Sequence, residues 1–259
     1  MNLDFSDDQK FLQEEARKFL EKEKSISRNR SVLETESHAD QELWNKIVDL
    51  GWTGIRIPED YGGLGLGHLE LCVIAEELGR YLAPVPFSSS VYLFTEAIIN
   101  YGNEEIKKDL LPKLVTGEVI GTLAVTEELY APSKSNIKVS SKNNILNGKK
   151  IAVPDAEIAT HSLVVSKSDK GVSLQLVNLS SPGVTIKHQE NIDESRGHFS
   201  IEFDGVKSDL VGDENSGWEL YETLINQAAV LFSYEQIGGS QAALDMAINL
   251  SLIHISEPT

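Results

Sequence analysis

Residues 55–87 read IRIPEDYGGLGLGHLELCVIAEELGRYLAPVPF, a glycine-rich part followed by a part with helical spacing. The part up to Gly67 holds four glycines and a proline, which cannot support a continuing helix, so we expect a compact ordered loop. From residue 67 to 83 apolar residues recur at helical spacing. This pattern predicts a helix that buries Leu71 and points Glu77 outward.

Helical periodicity continues on both sides of this stretch. Ser6 and Gln9 have the spacing of a capping box, just before an apolar face of helical period. Asp40 can cap a second helix, which Gly51 would end in the left-handed conformation that glycine tolerates. Two further helices are predicted around residues 89–100 and 103–115.

The character of the sequence changes near residue 118. Beyond it the apolar runs shorten to strand length and are separated by turn signals, which predicts a small antiparallel barrel or sandwich. After Gly217 the pattern is helical again and apolar on most faces, as in a helix buried in a bundle. The expected fold class is therefore α+β multidomain. It comprises an amino-terminal all-α helical domain (1–118), a middle antiparallel β-barrel or sandwich domain (119–212) and the start of a carboxy-terminal helical bundle (213–259).

Composition narrows the range of partners. Acidic residues outnumber basic residues 40 to 23, for a formal charge of −17. Such a surface repels nucleic-acid phosphates and anionic lipid, so neither nucleic acid nor membrane is an expected partner. The amino terminus lacks the pattern of a secretory leader, and no apolar run approaches the roughly 20 residues of a spanning helix. We therefore expect a cytoplasmic protein.

Motifs with chemical meaning are few when the residues are read alone. One cysteine, Cys72, permits no intramolecular disulfide, and the histidines show no ligand spacing, so no metal site is expected. The glycines of YGGLGLG do not follow a convincing strand, which favours a structural turn over a phosphate-binding loop. Adjacent carboxylates such as Glu76 and Glu77 point to different helix faces and do not form an acid–base dyad.

Several longer strings resemble the acyl-CoA dehydrogenase family. Residues 55–87 resemble its amino-terminal helical domain, in which a P-E-x-Y-G-G-x-G loop leads into a helix carrying E-E-x-G-R. KKDLLPKLVTGEVIGTLAVTE (107–127) resembles the passage into its β-domain, and LNGKKIAVPDAEIATHSLVVSKS (146–168) resembles its N-G-x-K strand pair. GGSQAALDMA (238–247) resembles the first helix of its carboxy-terminal bundle. The resemblance runs from about residue 3 to 250 in the family's order.

This resemblance implies an FAD-dependent removal of two hydrogens from the α and β carbons of an acyl-CoA thioester. A carboxylate would take the α proton while hydride leaves the β carbon for the flavin. An electron-transfer flavoprotein is implied as the electron acceptor, and assembly as a homo-oligomer or as a heterotetramer with a homologous subunit. Carried over residue by residue, the flavin contacts are Leu123, Ala124, Val125, Thr126, Ala152, Val153 and Pro154.

The departures from the family pattern concern the flavin. Many members have a tryptophan and a threonine on the second flavin strand, where this chain has Ala152 and Pro154, so a stacking ring and a hydrogen bond are absent. The usual T-E-P-x-x-G-S-D string reads TEELYAPS, with Pro132 as the candidate substrate contact. FAD is therefore expected to bind more weakly than usual. The strings L-A-P-x-P, V-P-D and E-Q-x-G-G resemble a bacterial branch that includes steroid side-chain and other bulky-acyl enzymes.

The catalytic base is not evident in the sequence. Most members carry it late in the carboxy-terminal bundle, so we expect the chain to be a carboxy-terminally truncated and inactive fragment, with residues 251–259 non-native. Some members place it on the first bundle helix, where this chain has Ala228 and Ala229. Glu235, two helical turns further on, is the candidate base, with a structural hydrogen-bonding role as the alternative. Two functions remain open: an FAD-dependent dehydrogenase, or a non-catalytic or flavin-poor partner subunit.

Overall fold

The computed structural model describes residues 4–23, 25–35 and 38–256. Helices come first, followed by a sheet and one long helix. The helices are α1 (Asp7–Lys22), α2 (Ser25–Leu33), α3 (Gln41–Asp49), α4 (His68–Arg80), a π-helical segment (Ser88–Thr95), α5 (Glu96–Tyr101), α6 (Glu104–Val115) and α7 (Gly217–Ser256). The strands are β1 (Gly121–Ala124), β2 (Ser140–Lys142), β3 (Ile145–Pro154), β4 (His161–Ser168), β5 (Gly171–Asn178), β6 (Val184–Gln189), β7 (His198–Lys207) and β8 (Asp209–Val211).

α1 and α3 begin at the caps that the sequence indicates, and α3 ends just before the predicted glycine. Ser6 Oγ accepts the Gln9 N–H at 3.2 Å, and Gln9 Oε1 accepts the Ser6 N–H at 2.9 Å, which completes the predicted capping box. Asp40 caps α3 by accepting the Leu43 N–H at 2.9 Å. Gly51 follows α3 with a φ of 75°, the left-handed conformation that glycine adopts without strain.

The glycine-rich loop before α4 is compact and ordered, as predicted. The Leu66 N–H donates to Ile55 O at 2.8 Å, and the Gly65 N–H donates to Ile57 O at 2.9 Å, so the loop closes on its own backbone. A Cβ at Gly63 would lie 2.1 Å from Ile57 O. Only glycine permits this approach, so Gly63 has a structural role in closing the loop.

Two local features differ from the sequence-based expectation. α2 was not predicted, because its apolar residues are few and its polar residues many. Glu77 was predicted to point outward, yet it is fully buried. Its carboxylate accepts two hydrogen bonds from Arg17 of α1, at 2.6 and 3.0 Å, and a charge paired in this way can be buried between helices.

The middle of the chain forms one eight-stranded sheet in the order β6-β7-β3-β2-β4-β5-β8, with β1 pairing β4 beside this path. Most pairs are antiparallel, as predicted, but β4 runs parallel to both β1 and β2. The β2–β3 hairpin intervenes between β1 and β4, so β4 can return in the direction of β1. The sheet is therefore mixed, within the predicted α+β architecture.

Hydrophobic packing does not follow the predicted division of the chain. One core combines residues of α1, α3 and α4 with β4, β5 and α7, and a second core lies within the sheet around β3 and β7. The division at residues 118 and 212 therefore stays a prediction, although α6 ends at Val115 and β1 begins at Gly121. The prediction that residues 251–259 are non-native falls partly outside the described residues.

No helix among the described residues combines the length and the apolar character that a membrane span requires.

Candidate functional site

The two segments predicted to line the flavin lie side by side. The Ile151 N–H donates to Thr126 O at 2.8 Å, and Thr122 Oγ1 donates to Pro154 O at 2.7 Å. These bonds hold the end of β1 and the residues after it along the end of β3. The structure thus brings together all seven predicted flavin contacts, which the sequence separates by about 25 residues. They are Leu123, Ala124, Val125, Thr126, Ala152, Val153 and Pro154.

β3 is irregular where it reaches this site. A bulge shifts its register against β7 between Lys150 and Val153. Ala152 lies in the bulge with a φ of 50°, a conformation uncommon for a residue other than glycine, and its N–H donates to Gln189 Oε1 at 2.8 Å. The bulge exposes Ala152 and buries Val153. At this position the chain therefore presents a methyl group and no aromatic ring.

A buried ion pair supports the segment that follows β1. Lys150 Nζ donates to Val125 O at 2.9 Å and to Glu127 Oε1 at 2.7 Å. Glu127 also accepts the backbone N–H groups of Lys138 and Val139, at 2.7 and 3.1 Å. Burial lowers the pKa of Lys150 to about 8, against the opposing effect of Glu127. The T-E and N-G-x-K strings carry this pair, but sequence reasoning gave neither residue a role.

Three consecutive buried serines tie the π-helical segment to the same region. Ser88 Oγ accepts from Arg196 Nη1 at 2.6 Å, and Ser89 Oγ donates to Asp155, which directly follows Pro154. Ser90 Oγ accepts the N–H of Gly121 at 3.2 Å, at the start of β1. Arg196 also forms an ion pair with Asp155. Sequence reasoning missed this network, because serine, aspartate and arginine at these separations form no known pattern.

Glu235 of α7 lies elsewhere. Its Oε1 accepts a hydrogen bond from the hydroxyl of Tyr92 at 2.9 Å. Burial raises the pKa of its carboxyl, while the Tyr92 hydrogen bond and the charge of Arg196 act to lower it. Among the described residues it makes no hydrogen bond to the two flavin segments. It lines a cavity of about 220 Å³ beside α4.

The remaining residues singled out from the sequence are Pro132, Ala228 and Ala229. Pro132 is half-buried in the irregular segment between β1 and β2, and its substrate role stays a prediction. Ala228 is buried and Ala229 is exposed on α7, and neither side chain can act as a base. In the described part of the chain, no group of three or more His, Cys, Asp or Glu side chains is placed to hold a metal ion.

The residues of the site fit a flavin in part. Thr126 is half-exposed, and its hydroxyl has no hydrogen-bond partner among the described residues, so it is free to bond a ligand. Ala152 is exposed, so its small side chain lies at the surface of this segment. Proline at position 154 has no N–H, and neither Ala152 nor Pro154 has a polar side chain, so the second segment offers less hydrogen bonding than the first.

Comparison with known proteins shows similarity to acyl-CoA dehydrogenases. The family described as "Acyl-CoA dehydrogenase, N-terminal domain" matches residues 6–118. The mitochondrial isovaleryl-CoA dehydrogenase of Pongo abelii is 28% identical; the match covers 97% of this chain and 63% of that enzyme. The chain thus spans less than two thirds of the length of that relative.

Two solved structures show the same fold. A steroid ACAD variant is 29% identical with a TM-score of 0.80, and the match covers 92% of this chain and 65% of that one. The acyl-CoA dehydrogenase of Bacillus anthracis, solved in complex with FAD, is 23% identical with a TM-score of 0.86, and the match covers 94% of this chain and 45% of that one. Residues 6–118 therefore match the amino-terminal domain of acyl-CoA dehydrogenases, and the described chain has the fold of these solved structures.

Proposed function

We propose that the protein of which this chain is part is an FAD-dependent dehydrogenase that oxidises the α and β carbons of an acyl-CoA thioester. The observation that carries the proposal is the side-by-side position of residues 123–126 and 152–154, together with a Thr126 hydroxyl that makes no hydrogen bond to any described residue. A structure of a family member with FAD bound has the same fold. A flavin lying along these segments would meet backbone polar groups of the first segment and the small side chains of the second.

In that reaction the residues around the two segments would hold the flavin in position. FAD, when bound, supplies the hydride acceptor. Lys150 and Glu127 hold Val125, the Thr126 hydroxyl would bond the flavin, and Thr122 holds the carbonyl of Pro154. Glu235 is directed at Tyr92 and a separate cavity, which supports its hydrogen-bonding role over a role as the base.

A partner subunit with little or no flavin is the second candidate. Ala152 and Pro154 favour it, because the second segment lacks both an aromatic ring to stack on the flavin and a side-chain hydrogen-bond donor. Such a subunit would stabilise a homologous catalytic chain in a heterotetramer. In either case the proposed electron acceptor is an electron-transfer flavoprotein, and the proposed substrates are those of the bulky-acyl branch.

The proposal is tested by the visible absorption spectrum of the purified protein of which this chain is part. Flavin bands that bleach on addition of an acyl-CoA would establish a self-sufficient dehydrogenase. A folded, colourless protein that takes up no added FAD would rule that out, and co-purification with a yellow homologous chain would establish the partner subunit.

Thr126→Val tests the site itself, because it removes the hydroxyl with little change of shape. Loss of one hydrogen bond, worth about 1 kcal/mol, should weaken FAD binding roughly fivefold. Thr185→Val is the matched control, since Thr185 is exposed on β6 away from the two segments. Equal FAD affinity in both variants and the parent protein would mean that Thr126 does not contact the flavin.

A further inference from the structure

A cavity of about 220 Å³ lies between the end of α4, the residues that follow it, the β6–β7 loop and α7. Much of its wall is apolar and buried, with Leu78, Val85 and Phe87 among the lining residues. It communicates with solvent where Leu82 and Asp193 are exposed. A small molecule can therefore enter it without unfolding the chain.

One polar group of this cavity is the guanidinium of Arg196. Nη1 donates to Ser88 Oγ at 2.6 Å, and Nη2 donates to the buried carboxylate of Asp155. A guanidinium carries five N–H groups in a fixed plane. Among the described residues, the other N–H groups of Arg196 have no acceptor. The arginine is thus held in position with donors to spare.

The second polar group is the carboxyl of Glu235. Its Oε1 accepts the hydroxyl of Tyr92 at 2.9 Å, whereas its Oε2 has no partner within the described part of the chain. The described residues include no ion pair between Glu235 and Arg196, although both line the cavity. A cation with free donors and a carboxyl with a free acceptor therefore share a space that neither fills.

We propose that this cavity binds a neutral hydroxyl or primary carboxamide group carried on a compact apolar body. Such a group can accept from Arg196 and donate to Glu235, and its body would cover Leu78, Val85 and Phe87. The binding site is distinct from the two flavin segments and goes beyond the proposed dehydrogenation.

Charge disfavours small ions in this cavity. A carboxylate that accepts from Arg196 would also lie near Glu235 and the exposed Asp193, and an ammonium that donates to Glu235 would also lie near Arg196, so a like charge offsets the attraction in each case. Size sets the other limit. At about 30 Å³ for each water, the cavity corresponds to about seven waters, or to a ring of six carbons with one substituent.

Three probes of the same size test the proposal on the chain as it is: cyclohexanol, cyclohexanecarboxylate and cyclohexylammonium. Each is titrated at a pH well above the usual carboxyl range, and NMR follows the Arg196 side-chain N–H groups and the backbone amides of residues 78–88. Cyclohexanol should give saturable shifts there, with an affinity at least about tenfold above that of either ion. If cyclohexanol gives no saturable shift, or if all three bind equally, the proposal is wrong.

Substitutions distinguish binding through Arg196 and Glu235 from binding by apolar contact alone. Glu235→Gln keeps an acceptor for Tyr92 but removes the negative charge, so cyclohexanecarboxylate binding should rise about tenfold. Glu222→Gln, at an exposed position on the same helix, should leave all three affinities unchanged. Ala83→Phe fills the cavity and should abolish cyclohexanol binding in a protein that still unfolds cooperatively. No experiment here requires flavin, so a failure would not count against the proposed dehydrogenase.

Discussion

Lys150 stabilises part of the candidate site through its ion pair with Glu127. Lys150 is fully buried, and a buried ammonium is tolerated only when hydrogen bonds and an opposite charge surround it. Val125 O and Glu127 provide these partners, and through them Lys150 fixes the segment that would line the flavin. The cost of burial remains visible in its lowered pKa.

This cost should appear in the pH dependence of stability. The pKa of Lys150 is about 8 in the folded chain and 10.5 ordinarily, so between these values the unfolded chain holds the proton more tightly. The contribution of Lys150 to the free energy of unfolding should therefore rise with pH across this window, by about 3 kcal/mol in all. Below the window the full cost of the buried charge is present.

Chemical denaturation at a series of pH values measures this contribution as a difference between two variants. Lys150→Met should lose the rising component, whereas Lys149→Met, at the exposed neighbouring position, should keep it. An NMR titration of the Lys150 side chain gives the same pKa directly, even if Lys150→Met does not fold. A measured pKa near 10.5 would show that Glu127 fully compensates for burial.

Sequence reasoning predicted the roles of some residues and missed those of others, for physical reasons. Asp40 and Gly51 were identified because capping and left-handed turns depend on neighbouring residues. Glu77 and Arg196 were not, because their partners lie 60 and 41 residues away and only tertiary packing brings them together. The seven predicted flavin contacts came from family resemblance and not from periodicity.

At the scale of elements, α4 and α7 pack so closely that their backbones touch. A Cβ on Gly79 would lie 2.0 Å from Glu235 O, and a Cβ on Gly238 would lie 1.8 Å from Glu76 O. The obstacle in each case is a backbone atom of the facing helix, which cannot rotate away. Arg80 and Asp245 close the same interface with an ion pair at 2.5 Å. This packing sets the position of Glu235 and hence the shape of the cavity.

Two adjacent glycines of α7 provide a matched test of this interface. Gly238→Ala should lower the free energy of unfolding by about 2 kcal/mol, because the new methyl group forces the helices apart. Gly239→Ala meets its nearest atom only at 3.5 Å, so it should raise stability by up to about 1 kcal/mol through helix propensity. Denaturant unfolding of both variants decides the matter, and equal effects would show that α4 and α7 do not interlock at Gly238.

Sequence reasoning missed two features of these elements, each for its own reason. The π-helical segment (Ser88–Thr95) was predicted as part of an ordinary helix, because its apolar residues fit that period and hydrogen-bond spacing leaves no mark in the sequence. The parallel pairing of β1 with β4 depends on where the β2–β3 hairpin packs, which strand patterns do not encode. Both features lie beside the two predicted flavin segments, where the structure depends on tertiary packing more than on helix and strand periodicity.

Across the whole molecule, two opposing forces act on the surface. The formal charge of −17 keeps molecules apart. Against it, the second half of α7 exposes a series of large apolar side chains, each with 49 to 59% of its surface accessible. They are Ile237, Leu244, Met246, Ile248, Leu250 and Leu252. Monomeric proteins rarely leave so many large apolar side chains exposed on one helix.

This chain should therefore self-associate, and added salt should promote the association, because salt screens the repulsion between acidic surfaces while leaving the apolar contact intact. Light scattering over a range of protein and salt concentrations measures both effects. Replacing Leu244 and Ile248 with glutamine, one turn apart on α7, should restore a monomer. Leu129→Gln should change nothing, since Leu129 is fully exposed but does not belong to α7. A parent chain that stays monodisperse and monomeric at high salt would mean that the apolar surface of α7 does not drive association.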